Sequence, residues 1–132
     1  MIDSILPGSI IIAFVYDESG RNPKERPLVL VTLPPKMEPV SCCACVAITS
    51  TWESVPLTVR VMLPYQSDRK LRSSTGLRIP SAAHCEWLVS VPVEKIISVK
   101  GRCPKLAFDQ ILTRLANTIP PTSSDSEDTD EV

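Results

Sequence analysis

The apolar residues of this chain come in short runs separated by turn-forming residues, and this pattern predicts a mainly β protein. Three runs are rich in β-branched and aromatic residues, which is typical of strands: residues 9–16, 27–33 and 40–49. Residues 57–63 and 83–91 instead alternate apolar and polar positions, as half-buried strands do. The 13 prolines often stand in front of apolar runs, which favours short strands separated by turns.

The alternation also predicts which side chains share a face of the sheet. In residues 57–63 it points four side chains inward: Leu57, Val59, Val61 and Leu63. In residues 83–91 it points another four inward: Cys85, Trp87, Val89 and Val91. His84 and Glu86 then lie on the opposite face, so a histidine and a carboxylate are predicted to share one surface.

One helical pattern follows the strands. It begins at Pro104, a residue favoured in the first turn of a helix, and carries apolar residues at helical spacing: Phe108, Ile111, Leu112, Leu115 and Ile119. Two polar segments, residues 17–25 and 65–79, predict long loops. Short antiparallel strands with one terminal helix predict a small, partly closed β-barrel on which the helix packs.

Length and composition indicate one globular domain. The chain has 132 residues, 43% of them hydrophobic and 22% charged, and its apolar runs are shorter than a membrane span. The N-terminus lacks the pattern of a secretory leader, so we expect a cytoplasmic protein whose five cysteines stay reduced. The cysteines within residues 42–45 lack the spacing of a structural zinc site, and we expect small buried residues rather than metal ligands.

Charge is divided unevenly along the chain. Residues 120–132 hold five acids and no base, so the preceding residues carry 14 bases against 10 acids. The body is therefore mildly basic. The acidic segment has almost nothing apolar to bury, and we expect a folded domain over residues 1–119 and a disordered acidic tail over residues 120–132.

Four segments, in this order, resemble the PemK/MazF family of bacterial toxins. They are GSIIIAFVY at residues 8–16, ERPLVLVT at 25–32, VAITS at 46–50 and TGLRIPSAAHCEWLVSVPVEKI at 75–96. The resemblance implies an SH3-like barrel with a C-terminal helix. It also implies the toxin of a type II toxin-antitoxin system, a metal-independent endoribonuclease without a cofactor.

The resemblance further implies roles for particular residues. Arg26 matches the family arginine, and its planar guanidinium suits the charge that develops on the phosphoryl oxygens. Thr49 matches the family threonine, whose hydroxyl could orient the scissile phosphate. His84 and Glu86 stand where some members carry their acid and base, so we expect these four residues to be catalytic.

A basic surface beside these residues is the predicted binding site for RNA. Its expected members are five cations: Arg60, Arg69, Lys70, Arg72 and Arg78. Tyr65 or Trp52 could stack a nucleobase there. The alternative is a solvated polar loop.

Each candidate residue also has a structural interpretation. Arg26 could be a surface arginine at the start of a strand, and Thr49 simply a good β residue. His84 could be a half-exposed strand residue, and Glu86 could pair with Arg60 or Arg78 across the sheet.

The sequence also departs from the family pattern. Glu25, not glycine, precedes Arg26 and could compete with phosphate for the guanidinium, and Trp87 stands where a glutamine is frequent. The alternative function is therefore a catalytically degenerate barrel that binds nucleic acid or an antitoxin-like partner without cleaving RNA.

The expected partners follow from the same resemblance. They are single-stranded RNA in the form of mRNA, a cognate antitoxin and a second copy of the chain in a homodimer. We expect operator DNA to be bound only together with the antitoxin, and we expect no membrane as a partner. The tail over residues 120–132 could imitate RNA in the basic groove or serve as a solubilising extension.

Overall fold

The computed structural model describes residues 5–32 and 42–118, which form one antiparallel sheet and one α-helix. The strands are β1 Ser9–Val15, β2 Lys24–Thr32, β3 Cys42–Thr49, β4 Arg60–Leu63, β5 Ser81–Pro92 and β6 Ile96–Arg102, and the helix is α1 Lys105–Thr118. Short 3-10 turns complete these elements: Trp52–Ser54, Leu57–Val59 and Val93–Lys95. The strand order in the six-stranded sheet is β4-β5-β3-β2-β1-β6.

Both faces of the sheet are buried, and this explains why β1, β2 and β3 are almost entirely apolar. Successive residues of β1 go to opposite sides, because Ile10 packs in the cluster beneath α1 and Ile11 packs in a second cluster. Val29 and Leu30 of β2 divide in the same way. The central strands therefore hold two hydrophobic clusters together.

Helix α1 closes the first of these clusters. It starts directly after Pro104, whose carbonyl accepts the N–H of Phe108 at 2.9 Å. Its buried residues recur at helical spacing: Ala107, Ile111 and Leu115. Burial of one aliphatic side chain contributes about 1.5–3 kcal/mol, so this stripe fixes the helix on the sheet. Leu112, predicted in the same stripe, is 40% exposed, and Ile119 lies outside the described residues.

The predicted strand over residues 57–63 is only partly correct. Leu57–Val59 forms a 3-10 turn, closed by the N–H of Val59 donating to the carbonyl of Pro56 at 3.1 Å, and β4 follows it. This turn directs Leu57 away from the core, leaving it 74% exposed. The other three predicted inward residues are buried: Val59, Val61 and Leu63.

Strand β6 is absent from the sequence prediction. It pairs antiparallel with β1 through irregular register, with Ile10 opposite Gly101 and Ile12 opposite Ser98. It is therefore one edge of the sheet, and it brings Lys100 to the same side of the molecule as the loop between β4 and β5.

Strand β5 departs from simple alternation. Its register with β3 shifts because Val46 pairs with Leu88 whereas Ala47 pairs with His84. Three residues of β5 are extra at this bulge: Cys85, Glu86 and Trp87.

The bulge corrects the predicted faces of β5. Cys85 packs beneath α1, while Trp87, Val89 and Val91 pack in the other cluster, so the prediction of one shared face is wrong for Cys85. His84 is buried rather than half-exposed, with 8% of its surface accessible.

Two of the clustered cysteines are core residues. Cys43 and Cys45 are buried in β3, as predicted, and burial raises the pKa of the Cys45 thiol to about 12. Within residues 5–32 and 42–118, no helix is long and apolar enough to cross a membrane. The predicted boundary between domain and tail, and the tail itself, lie outside the described residues.

Candidate active site

The loop between β1 and β2 is folded around one carboxylate. Asp17 accepts four hydrogen bonds: from the N–H and hydroxyl of Ser19 at 3.0 and 2.7 Å, from the N–H of Arg21 at 2.8 Å and from Nδ2 of Asn22 at 2.7 Å. These donors hold the pKa of Asp17 well below its ordinary value, chiefly through the Arg21 N–H. Asn22 adopts the left-handed conformation, with φ of 50°.

Arg26 follows this loop and is fixed by it. Its Nη2 donates to the carbonyl of Asn22 at 2.8 Å, and its Nε donates to the carbonyl of Val15 at 3.2 Å. The guanidinium lies over the indole of Trp87, 5.5 Å from the ring centroid, where a cation is attracted by the π-system. A guanidinium has five N–H donors, so donors remain for a phosphate.

His84 also contacts Trp87. The two rings meet edge to face with centroids 6.3 Å apart. Nδ1 of His84 is 3.8 Å from a carboxylate oxygen of Glu18, and Nε2 is 3.9 Å from one of Glu86. Both distances exceed hydrogen-bond length, and within the described residues the buried Nε2 has no hydrogen-bond partner. We call this group the histidine cluster; its members are Glu18, Arg26, His84, Glu86 and Trp87.

A cleft of about 810 Å³ opens beside the histidine cluster. Arg26 lines it together with Thr49, while His84 and Glu86 do not. In the part of the chain that the structure describes, five cations line the cleft: Lys24, Arg26, Arg69, Arg78 and Lys100. Among the described residues that line the cleft, Glu25 is the one carboxylate. The cleft therefore favours an anionic ligand.

The hydroxyl of Thr49 stands at the end of β3, on the wall of this cleft. It forms a hydrogen bond with the Thr51 hydroxyl at 2.8 Å and accepts the Thr51 N–H at 3.1 Å. Ser50 and Thr51 also line the cleft, so three successive hydroxyl-bearing residues border the same space as Arg26. Hydroxyls of this kind donate hydrogen bonds to phosphate oxygens.

The loop between β4 and β5, residues 64–80, carries a second basic surface, which we call the rim. The rim consists of four cations of this loop and Lys100 of β6. These cations surround a cavity of about 550 Å³: Arg69, Lys70, Arg72, Arg78 and Lys100. Arg69, Arg78 and Lys100 also line the cleft, so the rim and the cleft form one continuous basic surface. The loop reaches β6 because Gly76 has φ of 79° and no Cβ, which would overlap the backbone of Lys100.

Arg78 organises this loop. Its Nη1 donates to three carbonyls, those of Gln66, Asp68 and Leu71, at 3.2, 3.1 and 2.7 Å. It is thus a structural residue of the rim as well as a cation on its surface.

Arg60 lies in neither the rim nor the cleft. Its guanidinium lies over Trp52, 5.4 Å from the ring centroid, and Nη1 donates to the Trp52 carbonyl at 3.2 Å. Neither residue lines the cleft or the rim. The alternative interpretation, in which Glu86 pairs with Arg60 or Arg78, is not observed within residues 5–32 and 42–118, where Glu86 approaches His84 instead.

Sequence reasoning missed four residues of this region: Glu18, Lys24, Trp87 and Lys100. Lys24 stands two residues before Arg26 in β2, so its place at the cleft could have been found from strand spacing. Glu18 and Trp87 could not, because a folded loop and a β-bulge bring them to His84.

Known proteins resemble this chain both in family and in fold. A family model described as PemK-like, MazF-like toxin of type II toxin-antitoxin system matches residues 6–119. Among solved structures, the Mycobacterium tuberculosis toxin MazF-mt6 is similar in fold, with a TM-score of 0.54 at 17% identity, over 81% of this chain and 93% of that chain. A search among curated proteins gave no match. The predicted fold class, a mainly β antiparallel domain with a C-terminal helix, is confirmed.

Proposed function

The chain belongs to the PemK-like, MazF-like family of toxins of type II toxin-antitoxin systems, whose activity is endoribonucleolytic, and we propose that it cleaves single-stranded RNA without a metal. In this reaction a ribose 2′-hydroxyl attacks the adjacent phosphorus and the 5′-oxygen leaves. The products are a 2′,3′-cyclic phosphate and a 5′-hydroxyl. The observation that carries the proposal is the position of Arg26, which borders both the basic cleft and the histidine cluster.

Arg26 has the task of stabilising charge on the phosphoryl oxygens. Two of its donors are fixed on the carbonyls of Val15 and Asn22, so the guanidinium does not reorient when charge develops. Preorganised donors of this kind contribute about 2.7–4 kcal/mol to the transition state each. Thr49 donates from the wall of the cleft and helps to orient the same phosphate.

His84 and Glu86 have the task of moving protons. The imidazole exchanges a proton with the 2′-hydroxyl or with the leaving 5′-oxygen, and Glu86 stabilises its protonated form. His84 lies outside the cleft, so the RNA strand must pass from the cleft towards Trp87 for this contact. The cations of the rim bind the phosphates that flank the scissile one.

A second candidate function is binding without cleavage, and one observation favours it. His84 is 8% exposed and does not line the cleft, so the proton donor and acceptor are withdrawn from the basic surface. In this case the cleft and the rim bind RNA or the acidic segment of an antitoxin. Binding would then depend on salt while the RNA stays intact.

One experiment separates the two functions. The purified protein is incubated with a mixed RNA pool in EDTA, and the fragment ends are identified. Cleavage predicts ends that carry 2′,3′-cyclic phosphate, and Arg26→Ala abolishes them. Arg102→Ala is the matched control, since it removes an exposed arginine that lines neither the cleft nor the rim. Intact RNA at high protein concentration would exclude the endonuclease and leave the binding function.

The toxin family implies RNA as substrate and an antitoxin as partner. We further propose that the protein is a homodimer in the cytoplasm and that its two copies together form the RNA groove. We also propose that this dimer binds operator DNA only in complex with the antitoxin. Light scattering of the purified chain tests the dimer. A gel shift with operator DNA, with and without the co-purified antitoxin, tests the complex.

A further inference from the structure

The loop between β1 and β2 touches both functional side chains of the histidine cluster. The backbone carbonyl of Asn22, in this loop, accepts a hydrogen bond from Arg26 at 2.8 Å. The carboxylate of Glu18, also in this loop, lies 3.8 Å from Nδ1 of His84. The two loop residues that make these contacts, Asn22 and Glu18, were not among the predicted site residues.

Both contacts depend on how the loop is folded. Asp17 gathers the N–H of Ser19 and of Arg21 and the amide of Asn22 on its two carboxylate oxygens. The backbone N–H of Asp17 also donates to the Arg21 carbonyl at 2.6 Å, which closes the loop on itself. Asn22 is thereby held in a left-handed conformation that directs its carbonyl towards Arg26.

We propose that Asp17 is a positioning residue that folds this loop so that Arg26 and His84 are held in a reactive arrangement. The proposal rests on the proposed endonuclease function. Asp17 touches no substrate atom; it acts through the Asn22 carbonyl and through Glu18. It therefore affects the rate of the chemical step more than the affinity for RNA.

The expected effect follows from orientation. Without the Asp17 carboxylate the loop loses four hydrogen bonds, and the guanidinium of Arg26 loses a fixed carbonyl partner. A small displacement of a catalytic group lowers a rate by about 10- to 100-fold. The RNA dissociation constant changes by less than about threefold, because no cation of the cleft or the rim is removed.

The pH behaviour of the loop follows from the same hydrogen bonds. The pKa of Asp17 is held below its ordinary value, so the stabilisation of the loop is fully present above that ordinary value and decreases progressively as pH falls from there through the lowered pKa. The charged groups facing the loop's functional ends are Glu18, Arg26, His84 and Glu86. The contact of Arg26 with the loop should therefore persist at about pH 4.

The test uses the full chain and two readouts. The first is hydrogen exchange of the Arg26 Nε–H, observed by NMR. This group donates to the carbonyl of Val15 in β1, and the Asn22 carbonyl of the loop holds the same guanidinium through Nη2, so release of the loop frees the guanidinium to open. The second is the single-turnover cleavage rate at saturating RNA, measured beside the RNA dissociation constant. Asp17→Ala should accelerate the exchange by about 10-fold or more and lower the rate as stated, with affinity retained.

Two further variants separate positioning from general stability. Asp109→Ala removes a carboxylate that pairs with Lys105 on α1, far from the loop in sequence, and should change neither readout. Asp17→Asn combined with Asn22→Asp exchanges donor and acceptor, because an amide at position 17 can donate to a carboxylate at position 22. This double variant keeps the net charge and should recover at least part of the exchange protection and the rate that Asp17→Asn alone loses.

The outcomes are distinct. Unchanged Nε–H exchange in Asp17→Ala, or an unchanged cleavage rate despite faster exchange, overturns the proposal. So does a double variant that folds and shows no recovery in either readout. If the wild-type protein does not cleave RNA, the proposed function fails, and the exchange measurement alone then decides whether Asp17 positions Arg26.

Discussion

Two loops of this protein are built by the same chemistry but present their cations differently. In the β1–β2 loop, Asp17 gathers backbone N–H groups and Arg26 donates to two carbonyls. In the β4–β5 loop, Asp68 accepts the N–H of Lys70 at 2.9 Å and Arg78 donates to three carbonyls. Each loop is thus tied together by one aspartate and one arginine.

The surroundings of the two arginines differ. Arg26 lies over the indole of Trp87, whose edge contacts the buried His84, and neighbours of this kind strengthen the field of a fixed charge. Arg78 is surrounded by exposed cations of the rim: Arg69, Lys70, Arg72 and Lys100. Exposed charges are screened by salt and change orientation freely. For the proposed function, we therefore assign the chemistry to Arg26 and the attraction of RNA to the rim.

The largest expected effect is at Arg26. Arg26→Lys keeps the positive charge but loses the planar fork that reaches Val15, Asn22 and a phosphate at once. The single-turnover rate should fall by about 10²- to 10³-fold, as when a preorganised donor is removed. Arg78→Lys should instead weaken RNA binding. Equal losses of rate in the two variants would remove the distinction between the loops.

The next effect concerns proton transfer. His84→Gln keeps the approximate size of a buried side chain and removes the titratable ring, so the rate should fall by about 10²-fold or more. The unfolding midpoint is measured beside the rate to separate chemistry from stability. If the rate is retained in a folded variant, then His84 is a core residue only and the acid and base lie elsewhere.

A smaller effect is expected at the rim. Lys70→Gln combined with Arg72→Gln removes two exposed cations and should lower RNA affinity while leaving the rate at saturating RNA unchanged. The slope of log affinity against log salt should decrease by about 1.4, that is, about 0.7 for each phosphate contact with a single strand. Lys95→Gln with Lys105→Gln is the matched control, since neither residue lines the rim. An unchanged slope would show that the rim does not contact phosphates.

The smallest effect concerns the acidic segment over residues 120–132. If it competes with RNA for the cleft or the rim, its deletion should raise RNA affinity by a few-fold at low salt and have no effect at high salt, where screening is short-ranged, about 3 Å at 1 M. Equal affinity of the two chains at low salt assigns the segment to solubility.

The sequence predicted the fold well where the hydrophobic pattern is local. The runs in β1, β2 and β3 and the helical stripe through Ile111 and Leu115 were correct, because burial follows a regular period there. Leu57 was misplaced because Pro56 and the turn after it interrupt the alternation. Strand β6 was missed although Ile96, Ile97 and Val99 supply β-branched residues.

The site was predicted less completely than the fold. Arg26 and Thr49 follow from their motifs and line one cleft. That His84 and Glu86 share one surface was predicted for a regular strand. In the structure the two side chains approach each other to 3.9 Å, but Glu86 lies in a β-bulge and the imidazole is buried. Glu18 depends on a loop whose shape is set by hydrogen bonds to Asp17 rather than by any periodicity. Such tertiary placement cannot be read from residue spacing.

The most direct measurement uses a single modified oligonucleotide. Once a cleavage position is mapped, the nucleotide that supplies the attacking 2′-hydroxyl is replaced by its deoxy form in an otherwise unchanged RNA. In EDTA, the protein should bind this strand as tightly as the parent RNA and leave it uncut at that position. Cleavage of the modified strand at the same bond would contradict attack by the ribose hydroxyl.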